Sequence, residues 1–116
     1  MTLARNLSNI DLVQGQLEAY NAQDLEAFCA FYADDAVLAV YNGDVLAQGL
    51  DAIRARHAKL FADFPQNKAE VLYRMVLGPH VIDHEAVLRA PQGDSFEVGT
   101  IYSFAGGKIA RVDFVK

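Results

Sequence analysis

The sequence predicts a single α+β domain, with helices in its first half and strands in its second. Apolar residues recur every three or four positions as far as Phe64, which is the period of amphipathic helices. From Val71 onward β-forming residues dominate, and turns rich in glycine and proline divide the chain into segments of strand length. A chain of 116 residues builds one core, so residues 1–116 are expected to form one domain. We expect the helices to cover one face of a curved antiparallel sheet.

Two helices are predicted at the start of the chain. The first carries an apolar stripe made of Ile10, Val13, Leu17 and Tyr20. Asp24 is suited to cap the second helix, and Glu26 in its first turn lies favourably against the helix dipole. The apolar face of this second helix contains Leu25, Phe28, Cys29 and Tyr32. We expect the helix to end at Asp34 and Asp35.

A short hairpin and a third helix follow. Residues 36–41 are predicted to form a strand, 42–44 contain turn residues, and 45–48 form the returning strand. The third helix ends at Pro65, because proline cannot continue the hydrogen-bond pattern. Its stripe consists of Leu50, Ile53, His57, Leu60, Phe61 and Phe64.

Four further strands complete the predicted domain. They occupy residues 71–77, 81–90, 95–104 and 108–115. The turns between them contain glycine and proline, which tight turns favour. Consecutive strands joined by short turns predict a meander.

Composition and charge exclude several classes of protein. The net charge is −5 and the basic residues are not clustered, which argues against a nucleic-acid partner. No apolar segment is long enough to span a membrane, and no basic amphipathic stretch is present. The first residues lack the continuous apolar core that a secretory signal would need, so we expect no such signal. Cys29 is the only cysteine, so an intrachain disulfide is impossible. These features predict a cytoplasmic protein in a reducing compartment.

We expect neither a metal nor a cofactor. The three histidines, His57, His80 and His84, lack the spacing of metal ligands. The glycine pair at 106–107 joins two predicted strands and opens no helix, so it is no phosphate-binding loop. Cys29 lies on a predicted buried stripe and is expected to pack in the core.

Three segments of the chain carry a resemblance to a known family. They are 19–38 (AYNAQDLEAFCAFYADDAVL), 47–57 (AQGLDAIRARH) and 106–115 (GGKIARVDFV). Together they resemble the NTF2-like superfamily, and within it the small SnoaL-like proteins related to ketosteroid isomerases. The resemblance implies three helices packed on a bent sheet around an apolar pocket, forming a cone. It also implies a homodimer through the outer face of the sheet.

The pattern of strand 81–90 independently favours a homodimer. One face of this strand is too apolar to leave exposed when the helices cover only the other side of the sheet. This face consists of Ile82, His84, Ala86 and Leu88.

The resemblance also allows a comparison with the catalytic residues of ketosteroid isomerases. Those enzymes use an aspartate base, and a tyrosine and a protonated aspartate as oxyanion donors. The alignment puts the tyrosine at Gln16, the base at Val40 and the protonated aspartate near Thr100. All three identities differ, so the isomerase reaction by the family's mechanism is disfavoured, whereas the pocket is expected to persist.

The candidate catalytic residues are His57, Asp83 and Glu85. His57 interrupts an apolar stripe, and burial near a carboxylate would give it a pKa that suits proton transfer at neutral pH. A core histidine bonded to a backbone carbonyl is the alternative. Strand alternation puts Asp83 and Glu85 on one face, and counting across the hairpin from Thr100 points this face into the pocket. Their charges favour the opposite, solvent-facing orientation. If they point inward, burial raises the pKa of at least one carboxyl and creates a base.

The other pocket candidates offer hydrogen bonds within a mostly apolar site. Gln16 and Tyr20 lie one helical turn apart and can reach the same cavity, as Tyr32 can from the second helix. Both tyrosines are equally compatible with simple core packing. The predicted pocket lining is Gln16, Tyr20, Tyr32, Val40, Val87, Thr100, Tyr102 and Phe114.

Two functions are compatible with these residues. The first is an acid–base enzyme of the isomerase or cyclase type, acting on a small apolar compound with a carbonyl or hydroxyl group. In this hypothesis His57 and either Asp83 or Glu85 move the proton. The second is a non-catalytic NTF2-like module that binds a ligand or a protein. An open cavity lined by His57 favours the enzyme, and a cavity filled by phenylalanines favours the module.

Overall fold

The computed structural model describes residues 2–116, with side chains from residue 9 onward. Within this range the chain forms three helices and six strands, so the predicted α+β class is confirmed. The helices are α1 (Thr2–Ala22), α2 (Leu25–Cys29) and α3 (Leu50–Asp63). The strands are β1 (Tyr32–Val40), β2 (Val45–Gln48), β3 (Lys68–Leu77), β4 (His80–Leu88), β5 (Ser95–Ala105) and β6 (Lys108–Val115).

Helix α2 is shorter than predicted. Asp24 caps it as expected, since its side chain accepts a hydrogen bond of 3.1 Å from the amide of Ala27. The helix ends at Cys29, so the placement of Tyr32 on this helix was wrong. Tyr32 instead begins β1 and pairs with Ile109 of β6. Tyr32 follows Phe28 by four residues, which is the spacing of a helical stripe. The two rings do pack together in the core, with centroids 4.9 Å apart, but they belong to different elements.

The six strands form one curved sheet in the order β2-β1-β6-β5-β4-β3. The predicted meander of β3 to β6 is present, and β1 and β2 form the predicted hairpin. Strands β1 and β6 run parallel, however, so the sheet is mixed and not purely antiparallel as predicted. The whole chain between these strands acts as the crossover that a parallel pair requires. Pairing between such distant strands leaves no trace in local sequence patterns.

Strand β4 orients its acidic residues towards the helices. Asp83 and Glu85 are buried, whereas His84 between them is exposed. Asp83 lies opposite Thr100 of β5, as the count across the hairpin predicted. The inward orientation is therefore the correct one of the two alternatives.

The core lies between the helices and the inner face of the sheet. Val13 of α1, Phe28 of α2 and Ile53 of α3 are buried there against Leu38 and Val112 of the central strands. Cys29 is also buried and unpaired, as its place on the apolar stripe predicted. Over the described part of the chain, no helix combines the length and apolarity needed to cross a membrane.

Candidate functional site

A cavity of about 220 Å³ lies between the helices and the inner face of the sheet. Its wall includes all eight residues predicted to line a pocket, together with His57 and Glu85. Asp83 does not contribute to this wall. Most of the polar groups on the inner part of the wall are connected by hydrogen bonds that lead to Glu85.

The hydrogen bonds form a continuous chain from Tyr32 to Glu85. The hydroxyl of Tyr32 donates to Oε1 of Gln16 over 3.0 Å, and Nε2 of Gln16 donates to the hydroxyl of Tyr102 over 3.1 Å. Tyr102 in turn donates to Oε2 of Glu85 over 3.4 Å, and the hydroxyl of Thr100 donates to the same oxygen over 3.1 Å. Burial raises the pKa of both phenols, so each stays protonated and available as a donor.

Glu85 has an unusual protonation equilibrium. Burial raises the pKa of its carboxyl from 4.5 to about 7, and the nearby charge of Asp83 adds to the effect. The hydrogen bonds from Thr100 and Tyr102, and the positive charge of Arg74, act in the opposite direction. Near neutral pH the carboxyl therefore exists in both protonation states, which suits a group that gives and takes a proton.

Asp83 is held away from the cavity by an ion pair. Its Oδ1 and Oδ2 accept hydrogen bonds from Nε and Nη2 of Arg74 over 2.7 and 3.0 Å. The Asp83 side chain is wholly buried, and Nη1 of Arg74 donates to Oε1 of Gln14 over 3.0 Å. Asp83 acts on the site through its charge, which raises the pKa of Glu85. Sequence reasoning missed Arg74, although it lies directly opposite Asp83 in the β3–β4 register.

His57 lines the cavity but is not brought to a carboxylate. Its Nδ1 lies 2.8 Å from the carbonyl oxygen of Ile53, one turn earlier in α3. Because a carbonyl only accepts, Nδ1 carries the proton. This is the only hydrogen bond of the ring within the described residues, and the predicted pairing with Asp83 or Glu85 is not formed. Burial lowers the pKa of His57 to about 4, with Arg56 contributing, so the ring is neutral at physiological pH.

A second polar chain lies nearer the solvent. The hydroxyl of Tyr20 accepts a hydrogen bond of 2.7 Å from Nδ2 of Asn67, whose Oδ1 accepts one of 2.8 Å from Nη1 of Arg89. The Arg89 guanidinium lies 5.0 Å from the ring centroid of Phe96 and 5.6 Å from that of Phe64. The position of Arg89 in the cavity wall was not foreseen.

Comparison with known proteins identifies a family and a solved structure that are similar to this chain. The family described as a SnoaL-like domain matches residues 13–112. An uncharacterized cystatin-fold protein from Novosphingobium aromaticivorans is 36% identical, with a TM-score of 0.87 over 93% of this chain and 97% of that chain. No curated protein matches the chain.

Two further solved structures support the fold alone. A candidate polyketide cyclase from Sinorhizobium meliloti is 24% identical, with a TM-score of 0.77 over 90% of this chain and 93% of that one. A candidate ketosteroid isomerase from Kribbella flavida is 14% identical, with a TM-score of 0.74 over 90% of this chain and 73% of that one. Since one fold hosts many activities, these names do not transfer a reaction. The match over residues 13–112 shows that the chain belongs to the SnoaL-like family.

Proposed function

We propose that this protein binds a small, mainly apolar compound with a carbonyl or hydroxyl group, and exchanges a proton with it through Glu85. The observation that carries the proposal is a buried carboxyl on the cavity wall whose pKa is about 7. An ordinary glutamate is fully ionised at neutral pH and does not donate a proton. Glu85 does so under physiological conditions, and it also accepts one.

The proposed chemistry is acid–base transfer of the isomerase or cyclase type. The ionised Glu85 removes a proton from the carbon next to the ligand's carbonyl, which leaves an enolate and a protonated carboxyl. The same carboxyl then returns the proton to another carbon, so the reaction needs no other reactant. Thr100 and Tyr102 hold the carboxyl in place through their hydrogen bonds to Oε2.

The size of the cavity limits the ligand. An apolar cavity of about 150 Å³ is known to hold benzene. The cavity of about 220 Å³ described above therefore suits a compound with one or two rings.

Exchange of hydrogen with solvent tests the proposal directly. In D₂O the wild-type protein should accelerate deuterium incorporation next to the carbonyl of 2-tetralone, a two-ring ketone, as followed by NMR. The Glu85→Gln variant should show only the rate seen without protein, because an amide neither accepts nor releases the proton. The control is Glu18→Gln, which removes an exposed carboxylate from α1. Exchange at the wild-type rate in Glu85→Gln would refute the proposed role.

A second candidate function is a non-catalytic binding module. Two observations favour it: the three isomerase-like positions hold Gln16, Val40 and Thr100, and His57 bonds to a backbone carbonyl and not to a carboxylate. In that case 2-tetralone should bind with an affinity that depends on Glu85, yet its exchange rate should equal that in buffer.

We also propose that the protein is a homodimer through the outer face of its sheet. On β3 this face exposes 66% of Tyr73, 41% of Met75 and 62% of Leu77. Met75 lies in register with Ile82 of β4, which lies in register with Ile101 of β5, so the apolar surface crosses three strands. Such a continuous patch is typical of an interface.

Sedimentation at micromolar concentration tests the assembly. The wild type should have twice the chain mass of 12.7 kDa. A variant with both Tyr73→Lys and Met75→Lys should be a monomer with an unchanged circular dichroism spectrum, because two buried charges would face each other across the interface. Tyr41, which is 52% exposed, lies outside this patch, and the Tyr41→Lys variant should remain a dimer. A monomeric wild type would rule out the proposal.

A further inference from the structure

Basic residues are distributed unevenly around the cavity. The cavity-lining cations, Arg56, Arg89 and Lys116, have no acidic partner among the side chains of residues 9–116. The other basic residues of that range each contact a carboxylate or a backbone carbonyl. They are Arg54, Lys59, Lys68, Arg74, Lys108 and Arg111.

This distribution is unexpected for an acidic protein. The sequence has 15 acidic residues against 10 basic ones, so acids are available to pair with every cation. Among the residues whose side chains the structure describes, Glu85 is nevertheless the only acidic one in the cavity wall, and it is buried. Arg56 and Lys116 are solvent-exposed, and no acidic side chain of residues 9–116 neutralises these three cations of the wall, so the wall attracts anions into the cavity.

Arg89 is fixed in position for such a contact. Asn67, which is wholly buried, binds its Nη1, and the rings of Phe64 and Phe96 support the guanidinium. The ammonium of Lys116 lies 5.2 Å from the same Phe96 ring, so the two cations converge. A guanidinium held in this way loses little side-chain entropy on binding, and its remaining N–H groups match the geometry of a carboxylate.

We propose that the ligand carries a carboxylate at the exposed end of its apolar body, and that Arg89, together with Arg56 and Lys116, binds this group. This inference rests on the proposed function, in which the opposite end of the ligand, with its carbonyl or hydroxyl, reaches Glu85. The wall between the two ends is largely apolar and includes Leu17, Leu38, Leu60, Val87, Val98 and Phe114. The ligand is thus an apolar acid with polar groups at both ends.

Two naphthalene compounds distinguish the contribution of the carboxylate to binding from that of the hydroxyl. The probe 6-hydroxy-2-naphthoate has a hydroxyl and a carboxylate at opposite ends, whereas 2-naphthol has only the hydroxyl. By titration calorimetry, the wild type should bind the naphthoate at least about tenfold more tightly than 2-naphthol, as expected for hydrogen bonds to a charged group. Added salt should weaken naphthoate binding and leave 2-naphthol binding unchanged.

Substitutions of the cavity-lining arginines test whether these residues cause the tighter binding of the naphthoate. The double variant Arg56→Gln, Arg89→Gln should bind the naphthoate about tenfold more weakly and 2-naphthol as the wild type does. Arg56→Gln alone changes an exposed side chain and should cause part of this loss with the fold intact. Lys59→Gln removes the same charge from α3 outside the cavity and should bind both probes normally.

The possible results distinguish the two proposals. The carboxylate site would be overturned if both probes bound with equal affinity, or if the arginine substitutions left the affinity for the naphthoate unchanged. The proposed function would stand in either case. Binding of both probes that is unchanged in Glu85→Gln would overturn the proposed function, in which the hydroxyl of the ligand reaches Glu85. Failure of both probes would overturn both proposals.

Discussion

Replacing Asp83 by alanine should lower the free energy of unfolding by about 3–5 kcal/mol, the range measured when one partner of a buried ion pair is removed. Asp83 is wholly buried, and the side chain of Arg74 is only 19% exposed. The variant would leave the positive charge of Arg74 poorly solvated and without its two hydrogen bonds. Urea denaturation of the wild type and the variant measures the difference.

An exposed ion pair provides the control. Asp63→Ala removes the partner of Lys59 on the surface of α3, and should cost less than about 1 kcal/mol. The double variant Arg74→Met, Asp83→Leu should recover most of the stability lost in Asp83→Ala, because it removes both charges and keeps apolar volume. A loss below about 1 kcal/mol in Asp83→Ala would show that the pair is better hydrated than its burial indicates.

The Glu85→Gln variant should be more stable than the wild type above pH 7, by about 3 kcal/mol, and equally stable near pH 4. In the unfolded chain Glu85 ionises near its ordinary pKa of 4.5, whereas in the fold it stays protonated up to about pH 7. The wild type therefore loses stability as the pH rises from 4.5 to about 7. Glutamine does not titrate and avoids this loss, and its amide keeps an oxygen for Thr100 and Tyr102.

Titration of His57 should change the stability of the fold with pH in the opposite direction to titration of Glu85. Its pKa falls from 6.5 in the unfolded chain to about 4 in the fold, so the wild type loses stability as the pH falls through this interval. The free energy of unfolding of His57→Phe should therefore rise relative to that of the wild type only below about pH 6.5. That of Glu85→Gln should rise relative to the wild type only above about pH 4.5. Unfolding curves measured from pH 4 to 8 test both. A constant offset between Glu85→Gln and the wild type at every pH would contradict the assigned pKa of Glu85.

The elements of the fold were predictable because their signals are local. The hydrophobic period located the helices, and turn residues divided the meander into strands. The orientation of β4 could also be predicted, because short turns fix the register of a hairpin and register decides which side chains face the core. Charge alone would have given the wrong answer for Asp83 and Glu85, since burial of these acids depends on Arg74 and on protonation.

Long-range contacts account for what the sequence could not reveal. The parallel pairing of β1 with β6 joins segments from opposite ends of the chain, and it is this pairing that takes Tyr32 out of α2. His57 bonds to a carbonyl of its own helix, which no sequence pattern distinguishes from a catalytic contact. The three cations of the cavity wall lie on α3, directly after β4 and directly after β6, so only the assembled fold brings them to one cavity.

The position of β6 also determines the order in which the domain can be built. Strand β6 is the last strand along the chain, yet it lies between β1 and β5 in the middle of the sheet. During synthesis the β1–β2 hairpin and the β3–β5 meander therefore emerge before the strand that joins them. The edges of β1 and β5 stay unpaired until residues 108–115 leave the ribosome. Contacts between such distant segments slow folding, because the entropy of closing the intervening loop is lost before the contacts form. The nascent chain is consequently most exposed to aggregation just before its final strand appears.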